Sequence, residues 1–306
     1  MAIFDLPPDM QVFERGWLSA NNILFTGGEQ SVLIDSGYCT HSDQTLALVE
    51  AALHGRELDL LVNTHLHSDH CGGNAALQSR YPQLETLIPP GQAKLVQDWN
   101  PLALTYQPTG QLCPRFTFSD TLQPGGVISF GVSQWEIHAA SGHDPHSVVF
   151  FEPIRKVLIS ADALWQSGFG VVFPELEGQQ AFSDVAATLS LIETLAPRTV
   201  IPGHGPVFAY TPQVLAVARD RLSAFTKSPA RHARHAAKVL LKFKLLELQQ
   251  VALVEFRAWA SATTHLRHIQ NNFFSELDFE EWVDVMIAEL VRSNAALVAD
   301  KLIVNI

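Results

Sequence analysis

Residues 63–73 read N-T-H-L-H-S-D-H-C-G-G, with His65, His67, Asp69 and His70 inside six positions. Imidazole and carboxylate are the donors a divalent ion such as zinc takes, about four to a site. His65 and His67 lie two apart, so in extended backbone their side chains project to the same side. Gly72-Gly73 lets the chain turn tightly into a following helix. Four donors on so short a stretch cannot all wrap one ion, so the spacing asks for two ions and for more donors downstream. Three candidates stand at strand ends beside small residues: His143 in S-G-H-D-P-H-S, Asp162 in I-S-A-D-A-L and His204 in I-P-G-H-G-P. His146, three residues after His143, is a candidate to contact substrate or donate a proton, set against the plainer reading of a solvated histidine. Asp35, in I-D-S-G, reads as the holder of a turn near the donor loop. Cys71 reads as packed under the helix and His138 as a surface residue. There is no G-x-S-x-G elbow and no Walker-type phosphate loop.

The elements that would position these residues follow from periodicity. Leu58–Val62 is a buried strand running into the cluster. Asn22–Phe25 and Ser31–Asp35 read as paired strands, Thr40–His54 and Asn74–Arg80 as helices. Gln134–Ala140 alternates, with Trp135, Ile137 and Ala139 on one face. Ser147–Phe151, Lys156–Ser160 and Thr199–Ile201 are further strands, and Gln179–Leu195 a helix ended by Pro197. Strands with interspersed helices give a layered α/β domain. Beyond residue 210 the pattern changes to long helices, Arg231–Leu248 and Asp278–Arg292, and a closing hairpin around Ala299-Asp300-Lys301.

Charge marks the same change. Over the 306 residues the net charge is -11. Residues 1–210 carry 8 Lys/Arg against 21 Asp/Glu, and residues 211–306 carry 12 against 10. A catalytic domain over 1–210 and a helical domain over 211–306 are expected. With 47% hydrophobic and 17% charged residues the chain is globular, not disordered. No apolar run reaches the ~20 residues of a membrane span. The first residues have no basic stretch followed by an apolar one, so no signal peptide is expected. Cys39, Cys71 and Cys113 are an odd count without C-x-x-C spacing, which fits a reducing, cytoplasmic compartment.

T-H-L-H-S-D-H with G-G behind it, then G-H, then a strand ending in A-D, then P-G-H-G, resembles the metallo-β-lactamase superfamily over roughly residues 10–208. The resemblance implies an αββα sandwich with metals at one edge of two packed sheets. By motif it implies that His65, His67 and His143 bind one metal, that Asp69, His70 and His204 bind a second, and that Asp162 bridges. Ala161 departs from the glycine of many relatives. The acidic residue at 162 sets the chain apart from true zinc β-lactamases. The tail resembles the winged-helix tail of β-lactamase-like hydrolases that include a mitochondrial endoribonuclease. G-H-G-P-V-F differs from the G-H-E-Y-T type of the glutathione-thioester hydrolases, which disfavours that branch.

The expected activity is therefore a dinuclear hydrolase, with zinc ahead of iron or manganese, acting on a small ester, thioester or lactone. Two ions ~3.5–4 Å apart would share a hydroxide, and Asp69 would orient it. Two alternatives stay open: an endoribonuclease of single-stranded RNA, and a mononuclear iron persulfide dioxygenase. Between Arg219 and Lys244 there are eight Lys/Arg and one acidic residue, Asp220. Arg231, Arg234, Lys238 and Lys242 recur at helical spacing, as an anion-binding stripe or as a solvated helix face. Acidic residues on the later helix exclude DNA reading. The expected partner is a small molecule, with RNA and a homodimer contact as the other possibilities, and no membrane.

Overall fold

Alternation along the strands decides where the core lies. Strands β1 (Met10–Phe13), β2 (Asn22–Phe25), β3 (Val32–Ile34), β4 (Leu60–Val62), β5 (Glu85–Ile88) and β6 (Asp120–Thr121) form one sheet in that order. Pairing is antiparallel from β1 to β3 and parallel from β3 to β6. Ile23, Phe25, Val32, Ile34, Leu60 and Val62 point to one face and enter a core shared with the second sheet. Leu24, Leu33 and Leu61, the alternate positions, point the other way. There they pack against Val49 and Leu53 of helix Ser42–Leu53 and Leu77 of helix Asn74–Arg80.

The second sheet runs in the order β12-β11-β10-β9-β8-β7, where β7 is Val127–Phe130, β8 Ser133–Ala139, β9 Val148–Glu152, β10 Val157–Ala161, β11 Thr199–Pro202 and β12 Phe208–Ala209. Only β10 and β11 pair in parallel. Trp135, Ile137, Val148, Phe150, Val157 and Ile159 face the first sheet, and Trp135 is fully buried against Phe25 and Phe130. Ala139 does not share that burial, because it lies at the exposed end of β8. Helix Ala181–Leu195 buries Val185, Leu189 and Ile192. The result is a layered α/β fold of two sheets with helices outside them.

The computed structural model describes residues 4–306. They divide into two compact units: residues up to 100 with 112–222, and 223–306 with 101–111. The first contains both six-stranded sheets. In the second, helices Pro229–Leu248, Leu253–Ala262, Thr264–Phe273 and Phe279–Arg292 accompany a three-stranded antiparallel sheet. The long helix buries Ala233, Ala236, Ala237, Leu240 and Leu241 on one face. Small residues there let a neighbouring element approach closely. Asp278 caps the last helix, its carboxylate accepting from the Glu281 amide at 2.8 Å.

Arg234, Lys238 and Lys242 of the basic stripe are paired within this unit. Arg234 and Lys238 lie 2.5 and 3.1 Å from the Glu289 carboxylate. Lys242 donates to the Ala295 carbonyl at 2.7 Å and to Asn305 at 2.5 Å. Three of the four stripe residues thus tie the helix to its own unit, and Arg231 is exposed. Among the described residues no helix is long and apolar enough to cross a membrane.

Candidate metal centre

All seven candidate donors leave the ends of strands at one edge of the two sheets. Residues 63–67 run on from β4, and His67 is still extended (φ -69°, ψ 149°) before helix Ser68–Cys71 presents Asp69 and His70. His143 lies between β8 and β9, Asp162 directly after β10 and His204 just after β11. At the end of β10 the register with β11 breaks between Ile159 and Ala161, and Ala161 takes φ +44°. That is a conformation that glycine adopts without strain and alanine does not. It also turns the chain so that Asp162 follows it out of the strand. A Cβ on Gly203 would collide with the Asp162 carboxylate, so glycine lets the β11 loop pass against it.

The donors form two groups, and within each the ligand atoms lie within 4.8 Å of one another. In the first, His67 Nδ1 is 3.1 Å from His65 Nε2 and 2.8 Å from His143 Nε2. Nitrogens held tetrahedrally ~2.0–2.1 Å from one ion stand about 3.3 Å apart, so the spacing suits a shared ion. The remaining ring nitrogens set the tautomers. His143 Nδ1 donates to the Val171 carbonyl at 2.5 Å, which leaves Nε2 with its lone pair. Thr64 donates its hydroxyl proton to Asp35 at 2.8 Å, so at 3.1 Å it can only accept from His65 Nδ1. His67 turns its Nε2 towards the buried Asp144 carboxylate at 3.8 Å. Burial pushes His65 well below its usual range and His67 to about 4. Both rings are therefore neutral near pH 7, the state that binds metal.

In the second group His204 Nε2 is 3.0 Å from Asp69 Oδ2. His70 Nδ1 donates to Asp35 at 2.7 Å, and Asp35 also accepts from the Thr64 amide at 2.9 Å. Asp35 thus clamps a donor ring as well as a turn. Burial lowers the affinity of His70 for a proton, but Asp35 and Asp162 outweigh it and hold the ring well above its usual value. Burial raises Asp162, and His204 and His70 more than offset it, so the carboxylate stays well below its usual range. Asp69 is lowered too: burial opposes this, and the His204 hydrogen bond and His70 outweigh it. His70 Nε2 and His204 Nδ1 are buried and make no hydrogen bond. His70 Nε2 faces Asp162 at 3.4 Å, and an ion between them would satisfy it.

Asp162 lies between the groups. Its Oδ2 is 3.3 Å from His143 Nε2, and its Oδ1 is 3.4 Å from His70 Nε2 and 3.9 Å from His204 Nε2. The donor chemistry, the orphaned nitrogen and this spanning carboxylate all fit divalent ions.

His146 is exposed beside Gly91 and outside both groups. Cys71 is buried, its Sγ 3.3 Å from the His67 carbonyl. His138 pairs with Glu136 at 2.9 Å. Sequence reasoning missed Asp144, Thr64 and the aromatic surround. Asp144 was visible as the neighbour of His143, but not its direction. Trp17 stacks on His204, Trp165 donates to Asp162 at 3.2 Å, and Phe173 packs on His67.

Residues 15–204 match the family model described as metallo-beta-lactamase superfamily. A hydroxyacylglutathione hydrolase of Brucella anthropi is 27% identical over 170 residues, 53% of this chain and 51% of the relative. The chain thus spans about half the length of that relative. The acyl-coenzyme A thioesterase MBLAC2 of Homo sapiens is 25% identical over 209 residues, 62% of this chain and 74% of the relative. Among solved structures, the metallo-beta-lactamase family protein TTHA1429 from Thermus thermophilus aligns with TM-score 0.55 and 16% identity, covering 98% of this chain and 99% of that one. TTHA1623, solved in a di-iron-bound form, aligns with TM-score 0.53 and 27% identity over 68% of this chain and 96% of its own.

Proposed function

The chain belongs to the metallo-beta-lactamase superfamily, and from that membership we propose that it is a metal-dependent hydrolase of small-molecule thioesters holding two divalent ions. The observation that carries the two-ion reading is Asp162, with one carboxylate oxygen towards each donor group. His65, His67 and His143 would hold one ion and Asp69, His70 and His204 the other, with Asp162 within reach of both groups. Such ions supply Lewis acidity towards a carbonyl oxygen and acidify water. The protein's own part is to fix the donors. Asp35 holds His70 in place, Thr64 sets the tautomer of His65, and the Val171 carbonyl sets that of His143. Asp69, whose Oδ2 is engaged by His204, is the carboxylate available to orient the attacking water. The thioester is supported by two relatives named for thioester cleavage, one on glutathione and one on coenzyme A. Zinc is the metal the His/Asp donor set favours, and the di-iron neighbour makes iron the alternative.

The RNA reading is the less favoured, because Arg234, Lys238 and Lys242 of the basic stripe are engaged internally and both named relatives act on thioesters. A mononuclear dioxygenase leaves the second donor group without purpose. Elemental analysis of purified protein, with a panel of glutathione and coenzyme A thioesters, tests the proposal. Two zinc or iron equivalents per chain are expected, with thioester turnover that His67→Ala abolishes. One ion per chain, or silence of the loaded protein across the panel, overturns it.

A further inference from the structure

Trp17 is 56% exposed, whereas Trp135 and Trp282 are buried to within 1%. What sets Trp17 apart is where its open surface lies, against a donor ring. Its ring lies 9° from parallel with the His204 imidazole at 5.4 Å between centroids. Trp165 meets Trp17 edge-on at 5.4 Å and His204 at 5.6 Å. The Trp165 N–H is turned inward to Asp162 at 3.2 Å, so its polar end is satisfied there. Two indoles thus stand against the second donor group, one anchored and one open.

We propose that Trp17 is a specificity-determining residue, which with Trp165 forms a wall that takes an apolar acyl chain beside the scissile carbonyl. This rests on the thioester reading above. A carbonyl attacked at the donor groups lies close enough for one of its substituents to reach this wall. The thiol half of an amide-bearing carrier is a poor occupant, because indole faces leave buried amide groups without hydrogen-bond partners. An aliphatic or aromatic acyl chain carries no such penalty, and each methylene it takes out of water gains about fourfold in binding.

The test compares phenylacetyl and acetyl thioesters on one thiol carrier, and separately titrates phenylacetate and acetate into metal-loaded protein by tryptophan fluorescence. The wild type should favour phenylacetyl by about tenfold or more in kcat/KM, carried by KM, and should bind phenylacetate more tightly by a similar factor. Trp17→Ala should lower both ratios about tenfold with both metal equivalents retained, and Trp17→Phe should restore most of each ratio. Equal loss for both acyl groups, or loss of metal in Trp17→Ala, overturns the proposal, since Trp17 would then only prop His204. A protein that cleaves no thioester yet keeps the Trp17-dependent preference for phenylacetate retains the wall and overturns the thioester reading alone. No Trp17-dependent preference in either measurement overturns the wall.

Discussion

His65, His67 and His143 come together as three imidazoles, whereas Asp69, His70, Asp162 and His204 mix carboxylates with imidazoles. Two of the first three lie on one extended stretch, so β4 alone brings them close. The second group needs the helix after His67, the end of β10 and the loop after β11 to meet. The electrostatics differ as well. Burial keeps His65 and His67 from taking a proton, while Asp35 and Asp162 make His70 hold one. Both groups need tertiary closure, the first through His143 alone and the second through both Asp162 and His204. The first is built of imidazoles only, whereas the second carries two carboxylates and needs one more junction to meet, so it is the more easily unmade.

The largest effect should come from the residue between them. Asp162→Asn keeps the size and removes the charge, so it should fold, keep the first ion and bind the second far more weakly. Turnover should drop by about a thousandfold, the several kcal/mol that a second cation contributes to a transition state. Metal titration of the stripped variant decides, and two tight equivalents with near-normal turnover would break the comparison.

Acid should then separate the groups in metal-free protein. The folded values of His65 and His67 lie below 6.5, so their stabilisation is complete above about pH 6.5 and is lost as pH falls. For His67, the drop to about 4 corresponds to about 3 kcal/mol. His70 is raised, so its contribution is complete below pH 6.5 and is lost as pH rises through its folded value. Urea unfolding of chelator-treated protein should show greatest stability near pH 6.5. A stability that climbs steadily towards pH 4.5 would contradict the sign.

Asp35→Asn should weaken the second ion by about 10–100-fold, the usual cost of losing a partner behind a ligand. Asparagine leaves one acceptor oxygen for the three donors from Thr64 and His70, so the Thr64 contact behind His65 is disturbed and the first ion should weaken less but measurably. Equal losses at both sites would mean that Asp35 only holds the turn. The smallest change is expected from Ala161→Gly. Relief of the left-handed alanine should raise Tm by about 2 °C, with metal content unchanged. A lower Tm would show that the Ala161 methyl contributes more by packing than its backbone costs.

Much of this was legible in the chain. Alternation in Ile23, Leu24 and Phe25, and in Val32, Leu33 and Ile34, already separates an inter-sheet face from a helix-covered one, because side-chain direction has period two. The donors were legible because each sits at the end of an apolar run, where a strand must stop and expose the residues beyond it. Pairing across distance could not be read there. Asp35 reaches His70 thirty-five residues on, and Arg234 and Lys238 find Glu289 more than fifty residues away. Asp162 lies between two groups only because β9, β10 and β11 pair in a particular register. Nothing in the sequence singles out Trp17, which stacks on His204 from the loop between β1 and β2. Local composition determines which elements form and which residues stand at their ends, since periodicity acts over a few residues. Which of those ends meet, and so which ring is neutral, which is charged and which carboxylate lies between the two groups, was decided by strand order and burial in the tertiary structure.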